Sequence, residues 1–211
     1  VKAHHAKGLK MLPYSCLSFI SRGATEWLWI QKEWENPDGP NFDSSADVAA
    51  YGEGEGIRAI CPKSKTFSDF IVWKNMEFLE KFALDGFYHD NVSIFPCKEA
   101  GTGCGWRDAN GVRQPIYPIL ATRSLYQRLY TAVKTGNPDA ILLGHMSGKM
   151  WIPVLAYEDA YLDGENFRGK VADSYLDVMS LEMFRAEFMG RQWGPKAFFI
   201  PEFNEKISAE K

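Results

Sequence analysis

The 211 residues include 45% hydrophobic and 24% charged side chains, proportions that give a chain of this length a real core and exclude disorder or a collagen-like repeat. The formal charge is −3, from 24 Lys+Arg against 27 Asp+Glu with no long basic run, so a phosphate backbone finds little to bind and no nucleic-acid partner is expected. No apolar stretch approaches the ~20 residues of a membrane helix, and no membrane partner is expected either.

The first candidate element is a helix end at 4–8, closed by Gly8, followed by a strand over 9–14 that ends at Tyr14. From 20 to 66 the pattern is irregular and rich in Gly, Pro, Asp and Asn, with Trp27, Trp29 and Trp34 inside it. A connection that long reads as an excursion over a functional site. Apolar residues at Ile71, Val72, Met76, Leu79 and Phe82 then follow helical spacing, and Ser68 is the expected N-cap of a helix over 68–82. A short strand over 87–91 runs into polar residues, and a second long loop, 92–118, contains Cys97, Cys104 and several glycines.

Leu125, Tyr126, Leu129, Tyr130 and Val133 share one face of a helix over 121–134, which Gly136-Asn137-Pro138 stops. Continuous apolar strands follow at 140–145, 160–165 and 197–202, the last two separated by a helical region over 175–189. Strands that are apolar throughout, alternating with amphipathic helices, imply a parallel sheet. The class is therefore α/β, a (β/α)-barrel-like domain spanning 1–211. About five parallel strands with long βα loops make it an incomplete TIM barrel or an open sheet, since closure requires eight. Neither GxGxxG nor a P-loop occurs, which leaves a nucleotide-binding sheet without support. Val1 starts inside a structural pattern, so the rest of a larger polypeptide is expected.

Cys16, Cys61, Cys97 and Cys104 are too few for a disulfide framework. Cys97 and Cys104 share one loop, where pairing and free thiols are both open. No CxxC spacing occurs, so a zinc ribbon is excluded, and no metal or cofactor is expected.

Polar residues gather at the carboxyl ends of successive strands: Tyr14, then His89-Asp90-Asn91, then His145, then Asp163 and Glu165, then Glu202. Ligands of parallel α/β folds bind at that edge. Two carboxylates facing one cleft are what glycoside hydrolysis needs, one to protonate the leaving oxygen and one to stabilise or attack the anomeric carbon. Asp163 and Glu165 stand two apart, so in a strand both side chains point the same way. Asp90 is the expected ionised nucleophile or stabiliser, and Asp163 or Glu165 the acid/base. Tyr14, His89, Asn91, His145 and Glu202 are expected to contact substrate, with Trp106 and Trp151 as stacking platforms for a carbohydrate. A metal-dependent hydrolase using the same acidic cleft is an alternative, although no HxH or HExxH spacing supports it. A noncatalytic carbohydrate-binding domain is another.

The segments HHAKGLKMLPY, ALDGFYHDN, AILLGHMSG and AYLDGENF resemble the middle of the catalytic barrel of (β/α)8 glycoside hydrolases. The series H-x-x-G-x-K-x-x-x-Y followed by D-G-x-Y-x-D is similar to retaining α-galactosidase-like enzymes, and that likeness implies Asp90 as the nucleophile. DGFYHDN, PIYPILATR and LGHMSG…YEDAYLDGENF look like uncharacterised bacterial proteins near glycoside hydrolase family 123. The resemblance implies a secreted or periplasmic enzyme whose visible strands are roughly the third to the seventh of a barrel. Enzymes of that family use an adjacent Asp-Glu pair, for which only Glu158-Asp159 and Asp163-Gly164-Glu165 offer candidates here.

Overall fold

Strands that are apolar on both faces find partners only beside one another, with a helical layer laid over them. The computed structural model describes residues 1–42, 56–167, 175–191 and 193–201. Helix α1 (Lys2–His5) leads through an extended segment to β1 (Tyr14–Cys16). The first excursion holds β2 (Phe19–Ser21), α2 (Trp27–Trp34), β3 (Asn41–Phe42) and β4 (Ile57–Ala59), with the strands paired antiparallel in the order β2-β4-β3. Helix α3 (Lys65–Phe82) returns to β5 (Gly86–Asp90). The second excursion carries a hairpin, β6 (Trp106–Arg107) and β7 (Arg113–Gln114), before α4 (Ile119–Gly136) and β8 (Ile141–His145). Helix α5 (Ile152–Leu155) is a single short turn ahead of β9 (Ala160–Asp163). Helix α6 (Leu181–Phe184) runs into a π turn, Arg185–Met189, and β10 (Lys196–Phe199) closes the series.

Five strands form one parallel sheet in the order β1-β5-β8-β9-β10. Spatial order equals chain order. A doubly wound sheet must reverse direction somewhere, whereas a barrel adds each strand to the same side. The architecture is thus a five-stranded wedge of a (β/α) barrel with long βα loops, as the sequence leads one to expect. No helix among the described residues is long and apolar enough to cross a membrane.

The helical layer reads directly from its periodicity. Thr122, Leu125, Tyr126, Leu129 and Val133 are the buried stripe of α4, and Phe67, Ser68, Asn75 and Leu79 that of α3. They close over Phe87 and Leu142 of the sheet in one continuous core. The cap of α3 is Ser64, whose hydroxyl accepts from the Phe67 amide at 3.3 Å. Ser68, the expected cap, lies buried in the second turn and donates to the Pro62 carbonyl. The strand expected over 9–14 begins only at Tyr14, though the carbonyls of Met11 and Pro13 already accept from Asp85 and Tyr88. Tyr14 therefore opens its strand, and Cys16 stands at the tip.

Two backbone positions set the turn from α3 into β5. Ala83 ends the helix in the left-handed region at φ 50°, and Gly86 takes φ 138° against the Ile141 carbonyl. A β-carbon on Gly86 would lie 1.8 Å from that oxygen. Gly86→Ala is expected to abolish folding or to cost about 4 kcal/mol or more. Ala83→Gly removes a strain of ~1–2 kcal/mol at an entropic cost of ~0.5–1, so it should stabilise by up to about 1.5 kcal/mol. Denaturant unfolding of the two variants checks both signs.

Candidate active site

Successive side chains of a strand point to opposite faces, so register decides which residues meet. Tyr14 pairs with Tyr88, Cys16 with Asp90, and His89 with Gly144. Tyr14, Cys16, Tyr88, Asp90 and His145 consequently share the face away from the helices. Ser15 and His89 share the helical face, where the Ser15 hydroxyl donates to Asn75 of α3 at 2.9 Å.

His145 is the centre of the open face. Its Nδ1 lies 3.0 Å from Asp90 Oδ1 and 2.6 Å from the Tyr88 hydroxyl. Its Nε2 lies 3.1 Å from Glu165 Oε2 and 2.8 Å from the Ser147 hydroxyl. One imidazole thus bridges two carboxylates. The Asp90 hydrogen bond raises the affinity of His145 for its second proton, against the opposing effect of partial burial, and the charges of Asp90, Glu165 and Asp163 add to the rise. Burial works against the Asp90 anion, but hydrogen bonds from His145, the Asn91 amide and the Tyr14 hydroxyl outweigh it and hold its carboxyl below the usual range. Asp90 is an ionised group held by donors rather than by bulk solvent.

Asp90, Asn91, Ser93, His145, Ser147, Lys149 and Glu165 line this cleft. Asn91, at φ 51°, donates from its side-chain amide to both Tyr14 and Asp90, so Tyr14 joins the site through its hydroxyl although its Cα opens the strand. Ser93 and Lys149 also line a second groove with Phe95, Pro96, Tyr117 and Trp151. Trp151 lines that groove and also packs against the core.

Other expected residues are placed differently. His89 is fully buried among the helices, with Nδ1 2.8 Å from Glu158 and its ring edge-on to Tyr126, so it cannot touch a ligand in the cleft. Asp163 and Glu165 do not share a strand face. The strand ends at Asp163, Gly164 turns the chain at φ 116°, and Glu165 opens a 3-10 turn, Glu165–Phe167. Asp163 accepts from the Gly164 and Gly148 amides and neighbours Glu187, whose carboxyl is raised by burial and by that contact. Only Glu165 reaches His145. Trp106 is more than half exposed on its hairpin and is not among the cleft-lining residues. Glu202 lies outside the described residues. Glu158-Asp159 sits at the amino end of β9, with Asp159 on Lys134 at 2.8 Å, far along the strand from Asp90. Tyr88, Ser147, Lys149 and Tyr117 were missed. The first stands two residues before Asp90 on one strand, which is the signal that would have found it.

No protein-family model matches the chain, and no curated protein matches its sequence. Solved structures match it in fold. A cycloisomaltooligosaccharide glucanotransferase from Paenibacillus sp. superposes with a TM-score of 0.55 at 12% identity, over 88% of this chain and 26% of that one. A maltogenic α-amylase from Thermotoga neapolitana gives 0.51 at 12% identity, over 81% and 32%. An α-amylase from Geobacillus thermoleovorans gives 0.50 at 16% identity, over 82% and 34%. The chain spans about a quarter to a third of the length of these proteins. At such identity the likeness is one of fold, that of TIM-barrel glycoside hydrolases.

The site makes two measurable demands. His145 lies above its ordinary value, so its stabilisation is complete below about pH 6.5 and is lost as pH rises through the raised value. Asp90 lies below its ordinary value, so its stabilisation is complete above about pH 3.9 and is lost as pH falls through the lowered one. The pair should stabilise most between about pH 4 and 6.5. The His145 ring protons should titrate with a midpoint above 6.5 by NMR, and the stability gap between wild type and His145→Gln should shrink at alkaline pH. His89→Ala leaves Glu158 buried and unpaired, and should cost about 3–5 kcal/mol in urea unfolding.

Proposed function

We propose that this chain is the central part of a glycosidase that cleaves an O-glycosidic bond, with the carbohydrate lying across the open face of the sheet. The observation that carries the reading is the placement of Asp90 and Glu165 on opposite nitrogens of one imidazole, at the carboxyl edge of a barrel-type sheet. Asp90 is ionised and fixed by three donors, which suits a group that attacks or stabilises a developing oxocarbenium ion. Glu165 is the proton donor to the leaving oxygen, and the hydrogen bond to His145 Nε2 supplies and recovers that proton. Asn91 and Ser147 offer hydrogen bonds to sugar hydroxyls, and Trp151 and Tyr117 offer ring faces to the pyranose in the neighbouring groove. The motifs that resemble those of α-galactosidase-like barrels and of the proteins near family 123 favour the same class of substrate. Glu158-Asp159 does not supply the adjacent acidic pair of that family, because Glu158 is committed to His89 beneath the helices.

Purified chain assayed on a panel of α- and β-aryl glycosides tests the reading. Asp90→Ala should lose at least about 10³-fold in kcat, and azide should restore turnover by forming a glycosyl azide of inverted configuration. Glu165→Gln should lose about 10²–10⁴-fold on a poor leaving group and far less on a dinitrophenyl glycoside, which leaves without protonation. Undiminished turnover in Asp90→Ala would overturn the assignment. Sugar binding without turnover on every glycoside would instead favour a noncatalytic carbohydrate-binding domain.

A further inference from the structure

Cys61, Cys97 and Cys104 come from three separated stretches of chain, yet their sulfurs all lie within 4.8 Å of one another, and all three residues have zero exposure. Cys61 Sγ is 3.4 Å from Cys104 Sγ and 3.5 Å from Cys97 Sγ. We propose that these three cysteines form a zinc site that pins the loop between β5 and α4 to the start of α3.

The spacing suits this ion. Three thiolates bound at ~2.3 Å in a tetrahedral array stand about 3.8 Å apart, so Cys61 need part from each of its two partners by only a few tenths of an ångström. A disulfide would bring two of them to ~2.05 Å and leave the third sulfur buried without a covalent partner. A metal uses all three. The backbone around them already provides what thiolates require. The Glu99 amide donates to Cys97 Sγ at 3.5 Å, two residues on, and the Lys63 amide stands in the same relation to Cys61. The Cys61 thiol donates to the Thr102 hydroxyl at 3.2 Å, and that hydroxyl donates on to the Glu99 carbonyl.

Two cationic side chains tie down the backbone around the cluster. Lys63 donates to the Gly103 carbonyl, and Arg113 donates to the carbonyls of Cys104 and Lys98. The scaffold is rigid on each side: Cys61 donates its amide to the Trp34 carbonyl, and Cys97 exchanges both backbone hydrogen bonds with Ile116. The only partly buried hydrophobe packed on the cluster among the described residues is Ile116, so apolar packing does not account for three sulfurs facing one another. With no CxxC spacing the site is not a zinc ribbon. Its ligands are separated by 36 and 7 positions and meet only in the fold.

The chain is to be expressed with zinc in the medium, purified under reducing conditions without chelator, and assayed for metal by plasma mass spectrometry. About one zinc per chain is expected, released in step with titration of the buried thiols by an organomercurial. Cys16→Ser should retain the metal, since Cys16 stands apart from the cluster, and Cys97→Ser or Cys104→Ser should lose it. Because a cysteine variant can fail to fold, wild-type protein is also to be stripped and reloaded with Co²⁺. Sulfur-to-cobalt charge transfer in the near ultraviolet, with strong red d–d bands, would report tetrahedral thiolate ligation. Protein that holds no zinc and gives no such cobalt spectrum would overturn the proposal. So would peptide mapping that finds any two of the three cysteines joined as a disulfide.

Discussion

The pleat of the parallel sheet is the constraint on which the rest of the molecule depends. Register sets Asp90 beside Cys16 and His89 beside Ser15, so two adjacent polar residues leave the strand in opposite directions. One enters a solvent-facing cleft and the other a closed helical layer. A slip of one residue would exchange them, placing an anion among Leu125, Leu129 and Phe87. The His89–Glu158 pair resists that slip. Both side chains are fully buried, and each would be an uncompensated polar group without the other. Burial raises the Glu158 carboxyl, and the charge and hydrogen bond of His89 oppose the rise. A contact remote from the cleft therefore fixes the side on which the cleft residues emerge.

Within the cleft, charge is arranged around one ring. An isolated pair of carboxylates would repel each other, whereas an imidazole between them offers each an opposite charge to face when it is protonated. Tyr88 and Ser147 hold that ring from either edge, so its plane is set by two hydroxyls and its charge by two acids. A ligand that displaces Glu165 from Nε2 still meets Asp90 in place, because Asn91 and Tyr14 secure Asp90 independently of His145. The two carboxylates are thus unequal. Asp90 is a fixture of the sheet, and Glu165, with its side chain 41% exposed on a turn, is the adjustable partner. Hydrolysis of a glycoside asks for that asymmetry, one group that stays charged and one that gives up and recovers a proton.

What the sequence made legible follows from how locally each feature is encoded. The stripes of α3 and α4 and the apolar runs of β5, β8 and β9 repeat within a few residues, and their order alone implied a barrel wedge. Asp90 and His145 were legible because they stand at the ends of such runs. The excursion over 20–66 was not, since β2, β3 and β4 hold two or three residues each and carry no measurable period. Glu165 and Asp163 look equivalent in the sequence because the apolar run implies a strand through Gly164, whose φ of 116° no other residue adopts comfortably. His89 stands next to Asp90 in sequence, but strand alternation turns it to the opposite, buried face. The cysteine cluster was the least legible feature, because its members meet only through the fold.

That cluster connects to the cleft through a single loop. The chain from Asn91 to Pro118 leaves the carboxyl tip of β5 and lines the cleft with Ser93. It then builds one wall of the neighbouring groove with Phe95, Pro96 and Tyr117. Between those two contributions the loop departs to form its hairpin and returns, and the departure and return are joined where Cys97 meets Ile116. The hairpin strands of this loop have only two residues each. The sulfurs sit at the neck of this loop, between the groove wall and the hairpin. Whatever fixes the neck fixes Phe95, Pro96 and Tyr117 relative to Asp90, because only a few residues separate them from Cys97 and Ile116. The fold thus divides the work between two centres: the imidazole orients the charged groups of the cleft, and the three sulfurs hold the aromatic wall beside it.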